Sequence, residues 1–142
     1  YWNSQCRGAI FGLQRNTNVN DIAKAALQSI AFQARDLFNA MSSDYLDQKL
    51  EILKVDGGVS QNNWLMQNFS DQIGIRVERP SNIEASAVGV AFLTGLSLGY
   101  FSNLNDLEKI VKKDKVFNPE SNRFAIDRDY SNWKKAVKKL LS

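Results

Sequence analysis

Histidine is absent from the 142 residues, and cysteine occurs once, at Cys6. The first absence removes Ser-His-Asp and Cys-His nucleophile systems, imidazole general bases and His-ligated zinc. The second excludes an intrachain disulfide and a cysteine metal cluster, and it predicts a reducing, cytoplasmic setting. Any chemistry must come from carboxylates, amides, lysines, hydroxyls or the backbone. No run of 18 apolar residues exists, so no transmembrane helix is expected. The start, Tyr1 to Arg7, lacks the basic-then-apolar layout of a signal peptide. It also lacks a Met, so an excised or processed piece is expected. Proline occurs twice, at Pro80 and Pro119, each between periodic segments. Internal repeats and low-complexity tracts are missing as well.

What remains is ordinary globular material, 44% hydrophobic and 23% charged. The length fits one small domain able to bury about two-thirds of its unfolded surface. Net charge is +3, and the basic excess is confined to the end of the chain. Residues 103–142 hold ten Lys/Arg against six Asp/Glu, whereas residues 1–102 hold eight against nine. Lys134, Lys135, Lys138 and Lys139 read as a solvated face of the last helix, and Lys109, Lys112, Lys113 and Lys115 likewise. Neither nucleic acid nor membrane is expected as a partner.

The spacing predicts a helix over 21–41, with Ala23, Leu27, Ile30, Ala31, Ala34, Leu37, Phe38 and Met41 on one stripe. Asn18 and Asp21 read as its capping box. Residues 50–55 read as a buried strand ending at Asp56-Gly57-Gly58. Ser60 is the expected cap of a helix over 61–73, stopped by Gly74 in a left-handed conformation. Residues 75–79 alternate apolar and charged, which predicts a strand with one wet face, ended by Pro80. Residues 84–98 are apolar on nearly every side and predict a buried helix, with Gly89 and Gly95 admitting close neighbours. A short helix follows Asn103, and a last one runs from about 127 to 141. The order predicts an α/β fold with helices packed on a small sheet. Two strands are marginal alone, so the chain reads as part of a domain. Asp44, Asp47 and Glu51 lack the spacing of a calcium loop, and Cys6 is expected to be inert.

One spacing carries chemistry. A buried strand runs into Asp56-Gly57-Gly58, and a helix begins directly behind it. Two missing side chains let a flat or anionic ligand press on the backbone. The helix start adds free N–H groups and a positive dipole end. Asn62, four residues after Gly58, offers a donor and an acceptor. Such a seat suits an adenosine or its neighbouring phosphates. The same residues also make a good turn and an ordinary helix start. The segment is neither a Walker A loop nor GxGxxG.

Gly8-Ala9-Ile10-Phe11-Gly12-Leu13 is followed, seven residues on, by Asp21-Ile22 and then by Ala25-Ala26-Leu27-Gln28. This pattern resembles the second signature of the FGGY carbohydrate kinases, and Val55-Asp56-Gly57-Gly58 with Asn62 matches a further motif of that family. Arg7-Gly8, Thr17-Asn18, residues 25–41, residues 77–96 and the Tyr130–Val137 stretch are similar to its glycerol-phosphorylating branch. The likeness covers essentially all 142 residues and corresponds to the C-terminal stretch of such an enzyme. Asn16, Gln28 and Ser86-Ala87-Val88 depart from the usual wording, and none of them is Gly58 or Asn62.

The resemblance implies a partial ribonuclease H-like domain of the actin/hexokinase/Hsp70 ATPase type. Residues 1–142 would form the C-terminal portion of the nucleotide-binding domain, with the N-terminal domain absent. It also implies MgATP as phosphoryl donor, glycerol as acceptor and sn-glycerol 3-phosphate as product. Gly58 would pack on the nucleotide, Asn62 would contact its base region and Gly57 would support the turn. No position matches the family's catalytic aspartate, polyol-binding residues or phosphate loop, so no catalytic residue is assigned. The Mg2+ would be bound mainly outside these residues. Homo-oligomers are implied as a leaning. Two rivals are a xylulose- or gluconate-type kinase of the same family and a non-catalytic assembly module.

Overall fold

The computed structural model describes residues 1, 3–44 and 50–141. Helix α1 spans Val19–Asp44, longer than its apolar stripe predicts. Its start is the expected box: the Asn18 N–H donates to Asp21 Oδ2 at 3.0 Å, and Asn18 Oδ1 accepts from the Asn20 N–H at 2.8 Å. Strand β1 (Ile52–Lys54), helix α2 (Asn63–Ile73) and strand β2 (Arg76–Pro80) form a β-α-β unit. The two strands are parallel, with Leu53 opposite Val77. Parallel strands need such a crossover, because a hairpin turn cannot join them. Gly74 closes α2 at φ 74, and its N–H returns to the Ser70 carbonyl, as predicted. Helix α3 (Ala85–Ser97), helix α4 (Leu104–Ile110), strand β3 (Lys113–Phe117) and helix α5 (Arg123–Leu141) complete the order. Asn103 caps α4, its side chain accepting from the Asp106 N–H.

Several expectations need correction. The sheet has three strands rather than two, in the order β1-β2-β3, with β3 antiparallel to β2. Strand β3 reads Lys-Asp-Lys-Val-Phe, which carries no apolar alternation. Its charges are used as partners, Lys113 reaching Glu78 at 2.8 Å and Asp114 reaching Arg79 at 2.6 Å. For the same reason β2 is wet at its first residue, Arg76, rather than along one face. Val77, Glu78 and Arg79 are all buried, the charged pair being neutralised from β3. Pro80 is the last residue of β2, the central strand, at a register shift, where the irregular pairing tolerates a proline. Helix α5 begins four residues earlier than its apolar pattern indicates.

The core is made by Ala31 of α1, Leu65, Met66 and Ile73 of α2, Val77 of β2 and Phe117 of β3. Helix α2 lies at its centre, against α1, α5 and the sheet. A second seam joins α1 to α5, where Phe32 stacks on Trp133 at 5.5 Å between ring centroids. Arg35, also buried, bonds Asp127 at 2.6 Å and Gln72 at 3.3 Å and lies 4.0 Å over the Tyr130 ring. Lys134 is not merely solvated, because it pairs with Asp36, which also accepts from the hydroxyls of Tyr1 and Tyr130.

Helix α3 is where the expectation of burial fails. Gly95 is its one buried residue, approached so closely by Phe101 that a Cβ would sit 2.4 Å from Cε2. Gly89 meets nothing within 4 Å. Val90 is 65% exposed and Leu93 68%.

Candidate functional site

The residues between β1 and α2 fold as a turn followed by a short 3-10 helix. Val55, one residue past β1, still belongs to the sheet, its N–H donating to the Glu78 carbonyl at 3.0 Å. The chain then reverses at Gly57, whose φ of 80 and ψ of 171 suit glycine almost alone. The Gly57 N–H donates to the Ile83 carbonyl at 2.9 Å, tying the turn to the segment that follows β2. Gly58–Gln61 makes one 3-10 turn.

Ser60 is not the helix cap that its position suggests. It is buried, and its hydroxyl and N–H both donate to the Gly57 carbonyl, at 2.7 and 3.1 Å. The intervening 3-10 turn moves the cap to Asn62, whose Oδ1 accepts from the Leu65 N–H at 3.0 Å. Asn62 thus spends acceptor capacity on its own helix. Its amide group still carries donors, on an exposed side chain.

The structure brings Gly57, Gly58 and Asn62 together on one exposed edge, at the end of β1 and the start of α2. A Cβ built on Gly57 or on Gly58 meets no protein atom within 4 Å, so both face open space. Gly58 lies outside the positive-φ region, so its bare backbone is not demanded by local geometry. Two clefts lie elsewhere. One is lined by Tyr1, Asp36, Tyr130 and Lys134, the other by Phe11, Phe32, Trp133 and Leu140. Neither is bordered by the diglycine turn, which presents one wall rather than a closed pocket.

Behind the turn stands a residue that periodicity does not flag. Arg79 of β2 is 8% exposed, and its Nη1 donates to the Ser60 carbonyl at 2.7 Å. The rest of its guanidinium faces Asp114 of β3, with Nε at 2.7 Å and Nη2 at 2.6 Å. The neighbouring Glu78 carboxyl is held below its usual range, chiefly by the hydrogen bond from Lys113. Among the described residues, no group of three or more carboxylates or cysteines is placed to hold a metal ion. Asp47, one of the three acidic residues considered in the sequence, lies outside the described residues. Cys6 is half-buried, with its sulfur 3.8 Å from the Leu140 carbonyl.

Residues 1–98 match the model of the C-terminal domain of the FGGY family of carbohydrate kinases. The glycerol kinase of Mycoplasmoides gallisepticum is 48% identical over 142 residues, all of this chain and 28% of that protein. That of Streptococcus pneumoniae (strain Hungary19A-6) is 45% identical over 138 residues, 97% of this chain and 27% of that protein. The chain therefore spans a little over a quarter of the length of these curated relatives. The crystal structure of Plasmodium falciparum glycerol kinase with ADP superposes with a TM-score of 0.89 at 31% identity, over 99% of this chain and 28% of that one. A ligand-bound xylulose kinase from Lactobacillus acidophilus does so with a TM-score of 0.73 at 20% identity, over 96% of this chain and 28% of that one, a likeness of fold.

Proposed function

The chain belongs to the FGGY family of carbohydrate kinases, of the actin/hexokinase type of fold, and from that premise we propose that it carries the adenine-nucleotide seat of an ATP-dependent glycerol kinase. Gly58 is the flat surface on which the nucleoside lies, Asn62 donates to its base region, and Gly57 sets the turn. The observation that carries this reading is the bare backbone at Gly58. Nothing in the protein fills the space its side chain would take, and its φ does not require glycine. A ligand pressed against the turn explains that economy. Glycerol is favoured as acceptor over xylulose or gluconate by the 45–48% identity to glycerol kinases and, among superposed structures, by 31% for a glycerol kinase against 20% for xylulose and gluconate kinases.

Phosphoryl transfer also needs bound phosphates, metal ligands and a group that takes the proton of the attacking hydroxyl. None of these is assigned to the present residues. Mg2+, which neutralises charge on the transferred phosphoryl group, finds no cluster of three acidic or cysteine ligands among the described residues. The rest of the domain, the catalytic base and the polyol site are assigned to polypeptide outside these 142 residues. The isolated chain is accordingly expected to give no glycerol phosphorylation, and turnover by the purified chain refutes that assignment.

The seat is tested by ADP titration of the natural polypeptide. A Cβ on Gly58 meets no protein atom within 4 Å, so the melting temperature of Gly58→Val is expected to stay within a few degrees. The branched side chain stands where the nucleoside lies, and ADP affinity is expected to fall at least about tenfold, or about 1.4 kcal/mol. Asn62→Asp keeps a good cap but loses the amide donors, so it too weakens ADP binding with stability kept. Unchanged ADP affinity in both variants overturns the reading.

A further inference from the structure

The diglycine turn hangs on one buried cation. The Gly57 carbonyl is held twice by Ser60, and the Ser60 carbonyl is held in turn by Arg79 Nη1 at 2.7 Å. Ser60 is 2% exposed, so water does not reach that carbonyl freely. The remaining face of the guanidinium is fixed by Asp114 through two contacts, at 2.7 and 2.6 Å. A charge taken this far from water persists only when it is well paired. The planar fork of arginine allows one side chain to satisfy the carboxylate and the carbonyl together, which a lysine ammonium on a flexible stem does less rigidly. The span matters as much as the strength. Asp114 lies on the far edge of the sheet, in β3, whereas Ser60 lies between Gly58 and Asn62. The pair thus references the turn to the third strand of the sheet.

We infer that Arg79, braced by Asp114, is a positioning residue for the nucleotide seat, fixing Gly58 and Asn62 relative to each other through the Ser60 carbonyl. The inference rests on the adenine-nucleotide reading above. Arg79 acts through the Ser60 carbonyl rather than by touching the nucleotide. It fixes the turn in advance, so that binding does not have to order it. Without the guanidinium, the buried Ser60 carbonyl would have to turn toward water and drag the 3-10 turn with it.

The test is ADP titration calorimetry on the natural polypeptide, alongside melting temperatures and amide hydrogen exchange. Arg79→Met is expected to weaken ADP binding about tenfold, in line with losing a hydrogen bond from a charged group. It should also accelerate exchange at the amides of Ser60 and Asn62. Arg79→Lys is expected to recover part of the affinity, and Asp114→Asn to lose about threefold. Asp71→Asn is the stability control. Asp71, buried near the C-terminal end of α2, accepts from the Glu120 N–H and the Ser121 hydroxyl, so its loss is expected to lower the melting temperature while leaving ADP affinity unchanged. Wild-type affinity in Arg79→Met, or an equal loss of affinity in Asp71→Asn, overturns the positioning role and leaves the seat standing. If Arg79→Met does not fold, Arg79→Lys and Asp114→Asn decide, and wild-type affinity in both overturns it. Should the wild type itself fail to bind ADP, or Gly58→Val and Asn62→Asp bind as the wild type does, the seat falls and the positioning role with it.

Discussion

Asp71 shows how much one side chain can hold. It is buried at the C-terminal half of α2, and its Oδ1 accepts from the Glu120 N–H at 2.9 Å, the Ser121 N–H at 3.2 Å and Gln67 Nε2 at 3.2 Å. Its Oδ2 accepts from the Ser121 hydroxyl at 2.6 Å. Burial alone would raise this carboxyl. The Ser121 hydroxyl and the two backbone N–H groups outweigh it, and the pKa is held below the usual range. The carboxylate therefore fastens the segment between β3 and α5 onto α2. Asp71→Asn keeps the shape but loses the charge and part of the acceptor capacity. Near neutrality it is expected to cost about 2 kcal/mol, the scale of hydrogen bonds to a charged group. The folded pKa lies under the unfolded value of about 3.9, so the stabilisation is present above that value and drains as pH falls through the folded one. Urea melts at neutral and at strongly acid pH check this: the gap between wild type and Asp71→Asn is expected to narrow in acid, and a constant gap refutes it.

Among the elements, legibility follows the nature of the driving force. Helix α1 and Gly74 are readable because each rests on a local rule, a 3.6-residue stripe in one case and a left-handed stop in the other. Strand β3 is not readable, because Lys113-Asp114-Lys115 is made a strand by partners 35 residues away in β2. The buried Glu78 and Arg79 of the central strand β2 call for those charges, and no local pattern carries that demand. The candidate site divides in the same way. Gly57, Gly58 and Asn62 are visible as a spacing. Their support from Arg79 is tertiary and becomes visible only when β2 is seen behind the turn. The cap is a smaller case: one 3-10 turn over Gly58–Gln61 moves it from Ser60 to Asn62, two residues on, and no local pattern announces that turn.

At the scale of the whole molecule, the apolar surface of α3 is out of proportion to a small domain. Val90 and Leu93 are 65% and 68% exposed on a helix with almost no polar face, and Leu98, its C-cap, is 68% exposed. Contiguous exposed apolar surface of this kind marks a contact yet to be made. The relatives are more than three times as long as this chain, and the proposed kinase places the remaining strands of the domain outside it. We assign the face of α3 to that remainder rather than to a separate partner. The two contexts then pull one substitution in opposite directions. In the isolated chain, Leu93→Lys is expected to leave the melting temperature within about a degree and to improve solubility, because Leu93 is already in water. If the rest of a kinase domain covers α3 as assigned, then in the longer polypeptide the same change puts a charge where the leucine would be buried. It forfeits about 1.5–3 kcal/mol of burial before the penalty on the charge is added. Paired thermal melts of both forms provide the check. If the longer polypeptide tolerates Leu93→Lys as well as the isolated chain does, the helix faces solvent there too, and the covering of α3 by the rest of the domain is wrong.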